Sequence, residues 1–266
     1  MVLRVENLTK RYSETTALSE VSFEIPDGTF AVVLGESGAG KSTLLRILNG
    51  LTEPTSGGVY IDDEEITNSR SDVGMVFQQH NLVEELSAYS NALTGTLNRT
   101  GFLRSLLSRQ PAAEKELALE ALETVGLLDE AGQTVRSMSG GQQQRVGIAR
   151  ALVQQPELLL ADEPVASLDP SSAETVMAYL RETAKTRDLT TLASLHQVNI
   201  AREFGEQFIG LKQGRVVFTG SREELTTDVL EEIYGHIETD ELREESDPEA
   251  VIDAATEENT GIGAKP

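Results

Sequence analysis

Residues 30–43 read FAVVLGESGAGKST, five apolar residues running into a loop with three glycines and then into Lys41-Ser42-Thr43. A short continuous apolar run of this kind is a strand buried on both faces, as at the centre of a parallel sheet. Beyond the loop, Leu44, Leu48 and Leu51 share one helical face, and Asn49-Gly50 mark the end of that helix. Strand, tight glycine loop and helix in that order commit the chain to an α/β architecture. The G-x-x-x-x-G-K-[ST] pattern between them describes a phosphate cradle. Gly35, Gly38 and Gly40 let the backbone of Glu36, Ser37 and Ala39 turn successive N–H groups toward one anion at the positive end of a helix. A plain strand-to-helix turn requires neither a lysine nor a serine. In a nucleotide site Lys41 reaches the β- and γ-phosphates of ATP, Ser42 offers a hydroxyl to Mg²⁺, and Thr43 bonds the α-phosphate.

A metal held by one hydroxyl needs a carboxylate beside it, and an attacking water needs an acceptor for its proton. The segment ELLLADEP, 157–164, supplies both from the end of a second buried strand, where ligands bind on open parallel sheets. Asp162 is expected to orient Mg²⁺ and its waters, and Glu163 to polarise the attacking water. Taken alone, an Asp-Glu pair at a strand end is more often a solvated turn. Beside the first motif, the catalytic reading prevails.

Elsewhere the apolar period divides the chain. VSFEI alternates at Val21, Phe23 and Ile25 before a Pro26-Asp27-Gly28 turn, and short strands are expected around 59–62 and 73–78. From about 84 to 154 the pattern is helical, with Pro111 opening a helix whose apolar face is Leu117, Ala121, Leu122 and Val125. After Pro156, strands and helices alternate again. Asp169-Pro170 opens a helix with Ala173, Val176, Met177 and Leu180 inward, TTLASLH at 190–196 is a strand, and a hairpin turns at Gln213-Gly214. Ser221 and Glu224 form a capping box expected to open the last helical stretch. Such alternation implies crossover connections and a parallel sheet. Beyond Glu238 little periodicity remains among dense acids, so 238–266 is read as a disordered tail.

One stretch fits neither scheme. SGGQQQR, 139–145, starts the helix of Val146, Ala149 and Leu152, and Ser139 is a natural N-cap, but Gly140-Gly141 weaken a helix start for no packing reason the sequence shows. Together with GESGAGKST and LLLADEP, this stretch resembles the ATP-binding-cassette (ABC) family of transport ATPases, and the resemblance runs from about residue 2 to residue 237. It implies a P-loop NTPase (RecA-like) parallel-sheet core with an antiparallel β subdomain, about 1–83 and 155–237, and an inserted α-helical signature subdomain, about 84–154. It further implies that two copies close head to tail over two ATP molecules. Ser139, Gly140, Gly141 and Gln142 of one copy would then face the γ-phosphate held by the other.

By the same resemblance Tyr12 stacks on adenine, and Gln78 lies in the loop that senses Mg²⁺ and the membrane partner. Asp169 belongs to the dimer-contact loop, and His196 is the switch histidine beside the γ-phosphate and the attacking water. Met138 in place of the usual leucine, and the order Val-Ala-Ser-Leu-Asp at 165–169, depart from the family pattern without removing a reacting group. The segments 75–108 and 145–177 are similar to the ATPase of phosphonate importers, which implies transmembrane permease subunits, an extracytoplasmic solute-binding protein and a place at the cytoplasmic face of the membrane. Phosphate, phosphite, an amino acid or another polar solute stay open as cargo, as does an ABC ATPase without transport. A kinase using the same loop leaves SGGQ unexplained. Arg99, Arg104 and Arg109 either meet an acidic coupling surface or form a solvated face.

Composition narrows the field further. There are no cysteines, and His80, His196 and His236 have no ligand spacing, which sets aside thiolate and zinc chemistry. No apolar run reaches the roughly 18–20 residues of a membrane-spanning helix, so the chain is read as intracellular. Forty-four acids against 22 bases give a net charge of −22, which repels phosphate backbones and argues against a nucleic-acid partner. The stretch 238–266 holds −8 of this and the rest of the chain −14, so the acidity is not confined to the tail. Only six of the bases are lysine. Such a surface suits concentrated salt, where self-repulsion is screened. Thermal stability and ATP hydrolysis are therefore expected to rise together from about 0.05 M to molar KCl, and equal melting temperatures and rates at both ends of the series would refute this.

Overall fold

The computed structural model of the chain describes residues 1–68, 70–78, 81–97 and 111–235. Its ten strands among these are β1 Leu3–Tyr12, β2 Thr15–Ile25, β3 Phe30–Leu34, β4 Ser56–Ile61, β5 Glu64–Glu65, β6 Val73–Val76, β7 Leu158–Asp162, β8 Thr190–Ser194, β9 Gln207–Lys212 and β10 Arg215–Ser221. The described α-helices are α1 Lys41–Leu48, α2 Ala88–Leu93, α3 Ala112–Thr124, α4 Gly140–Leu152, α5 Pro170–Arg187, α6 Val198–Phe204 and α7 Thr227–Tyr234. The strands form two sheets, one ordered β2-β1-β4-β5 and antiparallel, the other ordered β10-β9-β3-β8-β7-β6. In the larger sheet β9, β3, β8, β7 and β6 are all parallel, and only the hairpin strand β10 runs back.

The central strands are buried on both faces, as continuous apolar runs require. In β3, Phe30, Val32 and Leu34 pack with residues of the helices α2 to α7, while Ala31 and Val33 pack toward α1 and the antiparallel sheet. β7 divides likewise, Leu159 and Ala161 to the helices and Leu158 and Leu160 to the other layer. The sheet is thus the middle layer of three.

The connections obey the local chemistry. Gln213 and Gly214 both take positive φ, 48° and 75°, which matches the twist of a two-residue hairpin. Asp169 caps α5 by accepting from Ser172 N at 3.0 Å, with Pro170 in the first turn. Ala173, Val176, Met177 and Leu180 face inward as expected. In α3 the buried set is Ala118, Ala121 and Leu122, with Val125 buried just after it, whereas Leu117 is only half-buried. The small Ala118 lets α3 approach its neighbours more closely than a leucine face would.

Three expectations change. β1 was not foreseen, because bulges after Val5 and Leu8 break its alternation. The box of Ser221 and Glu224 forms on one side, Ser221 N donating to Glu224 Oε2 at 2.8 Å, but it closes only a turn. Arg222 ties that turn to the carbonyls of Glu203 and Gly205, and α7 opens later with Thr226 as its cap. Leu51 was expected on the core face of α1, yet the helix stops at Leu48, Gly50 turns the chain at φ 69°, and Leu51 is 55% exposed. The readings placed on Arg99, Arg104, Arg109, His80, His236 and the tail lie outside the described residues. Leu48→Ala is expected to cost about 2–5 kcal/mol in urea unfolding and Leu51→Ala less than about 0.5 kcal/mol; equal losses would contradict this end of α1.

Candidate active site

Parallel strands deliver their C-terminal ends to one edge, and four of the expected residues arrive there by that route alone. Gly35 follows β3, Glu163 follows β7, His196 lies two residues past β8, and Gln78 two residues past β6. The pairing places Val76 beside Ala161 and Asp162 beside Ser194, so these ends lie level with one another. This is the crevice in which open α/β sheets bind ligands.

Lys41 is the centre of the cluster. It is only 4% exposed, and its ammonium donates to Gly35 O at 2.7 Å and Glu36 O at 3.1 Å, so the cradle's own carbonyls hold it. His196 Nδ1 lies 3.3 Å from Lys41 Nζ, and Glu163 Oε1 lies 3.9 Å away. Because the ammonium has only protons to offer, it donates to Nδ1, which leaves the Nε2 proton facing Glu163 Oε1, with which Nε2 is in direct contact. Lysine, histidine and glutamate therefore form one chain of alternating donors and acceptors. Burial pulls the Lys41 ammonium below its ordinary value of 10.5, against the opposing pull of Glu163 and then Asp162.

The Asp162 carboxylate and the Glu163 backbone are held by a residue the sequence reading did not single out. Ser194, fully buried at the end of β8, donates its hydroxyl to Asp162 Oδ1 at 3.0 Å and accepts from Glu163 N at 2.9 Å. Ser42 Oγ donates to the same Asp162 oxygen at 3.0 Å. One carboxylate oxygen thus gathers hydroxyls from α1 and β8. Glu163 takes a left-handed backbone, φ 48°, a strained geometry for a side chain of this type, and Ser194 secures its amide. A serine at the end of the strand TTLAS, level with the end of LLLAD, was the available signal.

The glycines of the loop take backbone geometries that a side chain would strain. A side chain on Gly35 would meet Leu211 O at 2.2 Å, and one on Gly40, φ 108°, would meet Ala17 O at 2.6 Å. Gly38 has φ 82° with open space around it, and Glu36, Ser37 and Gly38 form the exposed crest. Ala39 is buried beneath the crest, and Thr43 is half-buried in the first turn of α1.

Tyr12, Asp169 and the stretch 139–142 stand apart from this cluster, and Gln78 shares its edge. Tyr12, 45% exposed at the end of β1, has the Lys10 ammonium 5.0 Å from its ring centroid. Gln78 is exposed. Among the described residues no hydrogen bond or ion pair joins 139–142 to 35–43. Ser139 instead caps α4 reciprocally, Ser139 N donating to Gln142 Oε1 at 2.9 Å and Gln142 N to Ser139 Oγ at 3.3 Å. A Cβ on Gly140 would lie 3.3 Å from the tip of Leu168 and one on Gly141 an ordinary 3.5 Å from Ser172, so this helix start lies beside Leu168 and the first turn of α5. Ser172 and neighbouring amides hold the exposed Asp169 carboxyl below the usual carboxylate range.

The fold and this edge agree with what comparison finds. The ABC transporter family model matches residues 18–166. The phosphonates import ATP-binding protein PhnC of Halobacterium salinarum is 62% identical over 98% of this chain and 94% of its own length. The protein of the same name from Thiobacillus denitrificans is 49% identical over 87% and 92%. Among solved structures, the dimeric ATP-binding cassette MJ0796 in a post-hydrolysis state with ADP and Pi superposes with a TM-score of 0.71 at 35% identity, covering 83% of this chain and 98% of that one. A nucleotide-free cassette from an ABC transporter gives 0.75 at 26% identity over 87% and 94%.

The lowered Lys41 value fixes the sign of one pH effect. The folded chain releases this proton before the unfolded chain does, so between the lowered value and 10.5 the unfolded state holds more protons and stability rises with pH. The unfolding free energy of the native chain minus that of Lys41→Met is therefore expected to climb from neutral pH toward 10.5, and a flat or falling difference in urea melts would contradict the burial. A phosphate cradle, a buried lysine and a carboxylate pair on one sheet edge, matched by profile and by near full-length relatives, place this chain in the ABC transporter family as one of its ATP-hydrolysing cassettes.

Proposed function

We propose that this cassette drives the import of phosphonates or a related small oxyanion, acting as a head-to-tail pair of copies on the cytoplasmic face of permease subunits that a solute-binding protein feeds from outside. The observation that supports the cargo most directly is the near full-length likeness, at 62% identity, to a relative named for phosphonates import. The dimeric cassette with ADP and Pi supports the paired arrangement. Among the described residues no helix is long and apolar enough to cross a membrane, so the pathway for the solute belongs to partner chains in this proposal.

The residues take complementary parts. The amides of 35–43 and Lys41 hold the β- and γ-phosphates, Lys41 exchanging its bond to His196 for one to phosphate oxygen. Ser42 and Asp162, 3.0 Å apart at the mouth of the loop, are a hydroxyl and a carboxylate suited to Mg²⁺, an ion that takes few protein ligands and would neutralise charge on the transferring phosphate. Glu163, its backbone tied to Ser194 and its carboxylate in contact with His196, accepts a hydrogen bond from the attacking water. Tyr12 offers a ring face to adenine, and Gln78 links the site to the surface toward the permease. Ser139 to Gln142 and Asp169 complete the site of the opposite copy, closure being driven by tighter binding of ATP to the closed pair.

Deleting the gene is expected to abolish growth on a phosphonate as sole phosphorus source while growth on phosphate persists. The native chain restores it. Glu163→Gln does not, because hydrolysis slows by ~100-fold or more. Unimpaired growth of the deletion strain on phosphonates, with loss of uptake of a different solute, would overturn the cargo.

A further inference from the structure

The last turn of α7 reaches the first residue of the phosphate loop. Tyr234, half-buried against the helical layer, accepts a hydrogen bond from Gly35 N at 3.2 Å, and 199 residues of sequence separate the two. Gly35 is the residue whose carbonyl accepts from Lys41 Nζ at 2.7 Å. The N–H and the C=O of one glycine are thus occupied by Tyr234 and by the lysine of the cradle. On its other side Gly35 lies so close to β9 that a Cβ would sit 2.2 Å from Leu211 O. This residue cannot rotate to recover a different partner without losing one of these contacts.

Glu36, Ser37, Gly38 and Ala39 border an open pocket shared with Lys212, Gln213 and Ile233. From outside the loop's own turn, polar restraints come from Tyr234 on Gly35 and from Gly214 N donating to Ala39 O at 3.0 Å. The helix that presents Tyr234 is itself fastened, with Thr226 at its start, Leu230 and Ile233 buried, and Lys212 Nζ donating to Glu232 O at 2.5 Å near its end. Burial pushes the Tyr234 phenol up to about 12, so no phenolate forms beside a polyphosphate at any pH at which the chain would work.

We infer that Tyr234 is a positioning residue for nucleotide binding: its hydroxyl fixes the Gly35 peptide, and through the Gly35 carbonyl it presets Lys41 for the phosphates. It rests on reading 35–43 as the ATP cradle. A residue acting in this way lowers the free energy of bound substrate and transition state alike, because both need the same loop geometry. Its loss therefore raises KM and spares kcat.

Tyr234→Phe retains the ring and removes only the hydroxyl. In steady-state ATP hydrolysis by the full chain it is expected to raise KM by about three- to tenfold, the range one neutral hydrogen bond is worth, with kcat within about twofold of the native chain. Fluorescent ATP binding is expected to weaken by the same factor. Ile61→Ala, a core change in β4 rather than in α7, is expected to lower the melting temperature while leaving KM in place. A native KM in Tyr234→Phe, or a KM in Ile61→Ala that rises to match it, overturns the inference. Lys41→Ala separates the two layers of argument: if it binds ATP normally, the cradle reading and this inference fall together, whereas lost binding there beside native binding in Tyr234→Phe removes Tyr234 alone.

Discussion

The site depends on keeping the Lys41 ammonium out of water without leaving it unpaired. A buried positive charge is costly unless carbonyls, carboxylates and a histidine lone pair surround it, and here each is supplied from a different strand end. Gly35 O and Glu36 O come from the loop after β3, His196 from beyond β8, and Glu163 from beyond β7. The parallel register makes this possible, because only parallel neighbours bring several strand ends to the same edge. The apolar layers above and below the sheet therefore serve the chemistry indirectly, by keeping those ends level.

Ser194 extends the same logic to the acids. Its single hydroxyl donates a hydrogen bond to the Asp162 carboxylate and accepts one from the Glu163 amide, which ties one acid's side chain to the next acid's backbone. The strain in the Glu163 backbone is tolerated because the strand before it is buried on both faces and the amide after it is paired. The floor of this cleft is buried, and residues 36–38 form its exposed rim.

Much of this was legible in sequence where a residue type answers to one local requirement. The three glycines of 35–40, the buried strands and the cap at Asp169 each follow from a backbone or burial need that a short window displays. Ser194 and Tyr234 were not legible, because their roles are contacts made across 31 and 199 residues of sequence, and neither sits in a pattern of its own. β1 escaped because bulges erase its alternation, and Leu51 misled because a helical face was extended past the glycine that ends it. The capping box at Ser221 formed locally, but the tether from Arg222 to α6 and its exit loop decided that the helix starts later.

The reciprocal cap at Ser139 and Gln142 has a consequence for chemistry in trans. Two groups at that helix start are already satisfied within the chain, the serine oxygen by an amide and the serine amide by a glutamine oxygen. The cap therefore fixes the direction in which this helix start points before any partner arrives. In the proposed head-to-tail pair, the second copy would meet a helix end whose serine and glutamine are already locked in place.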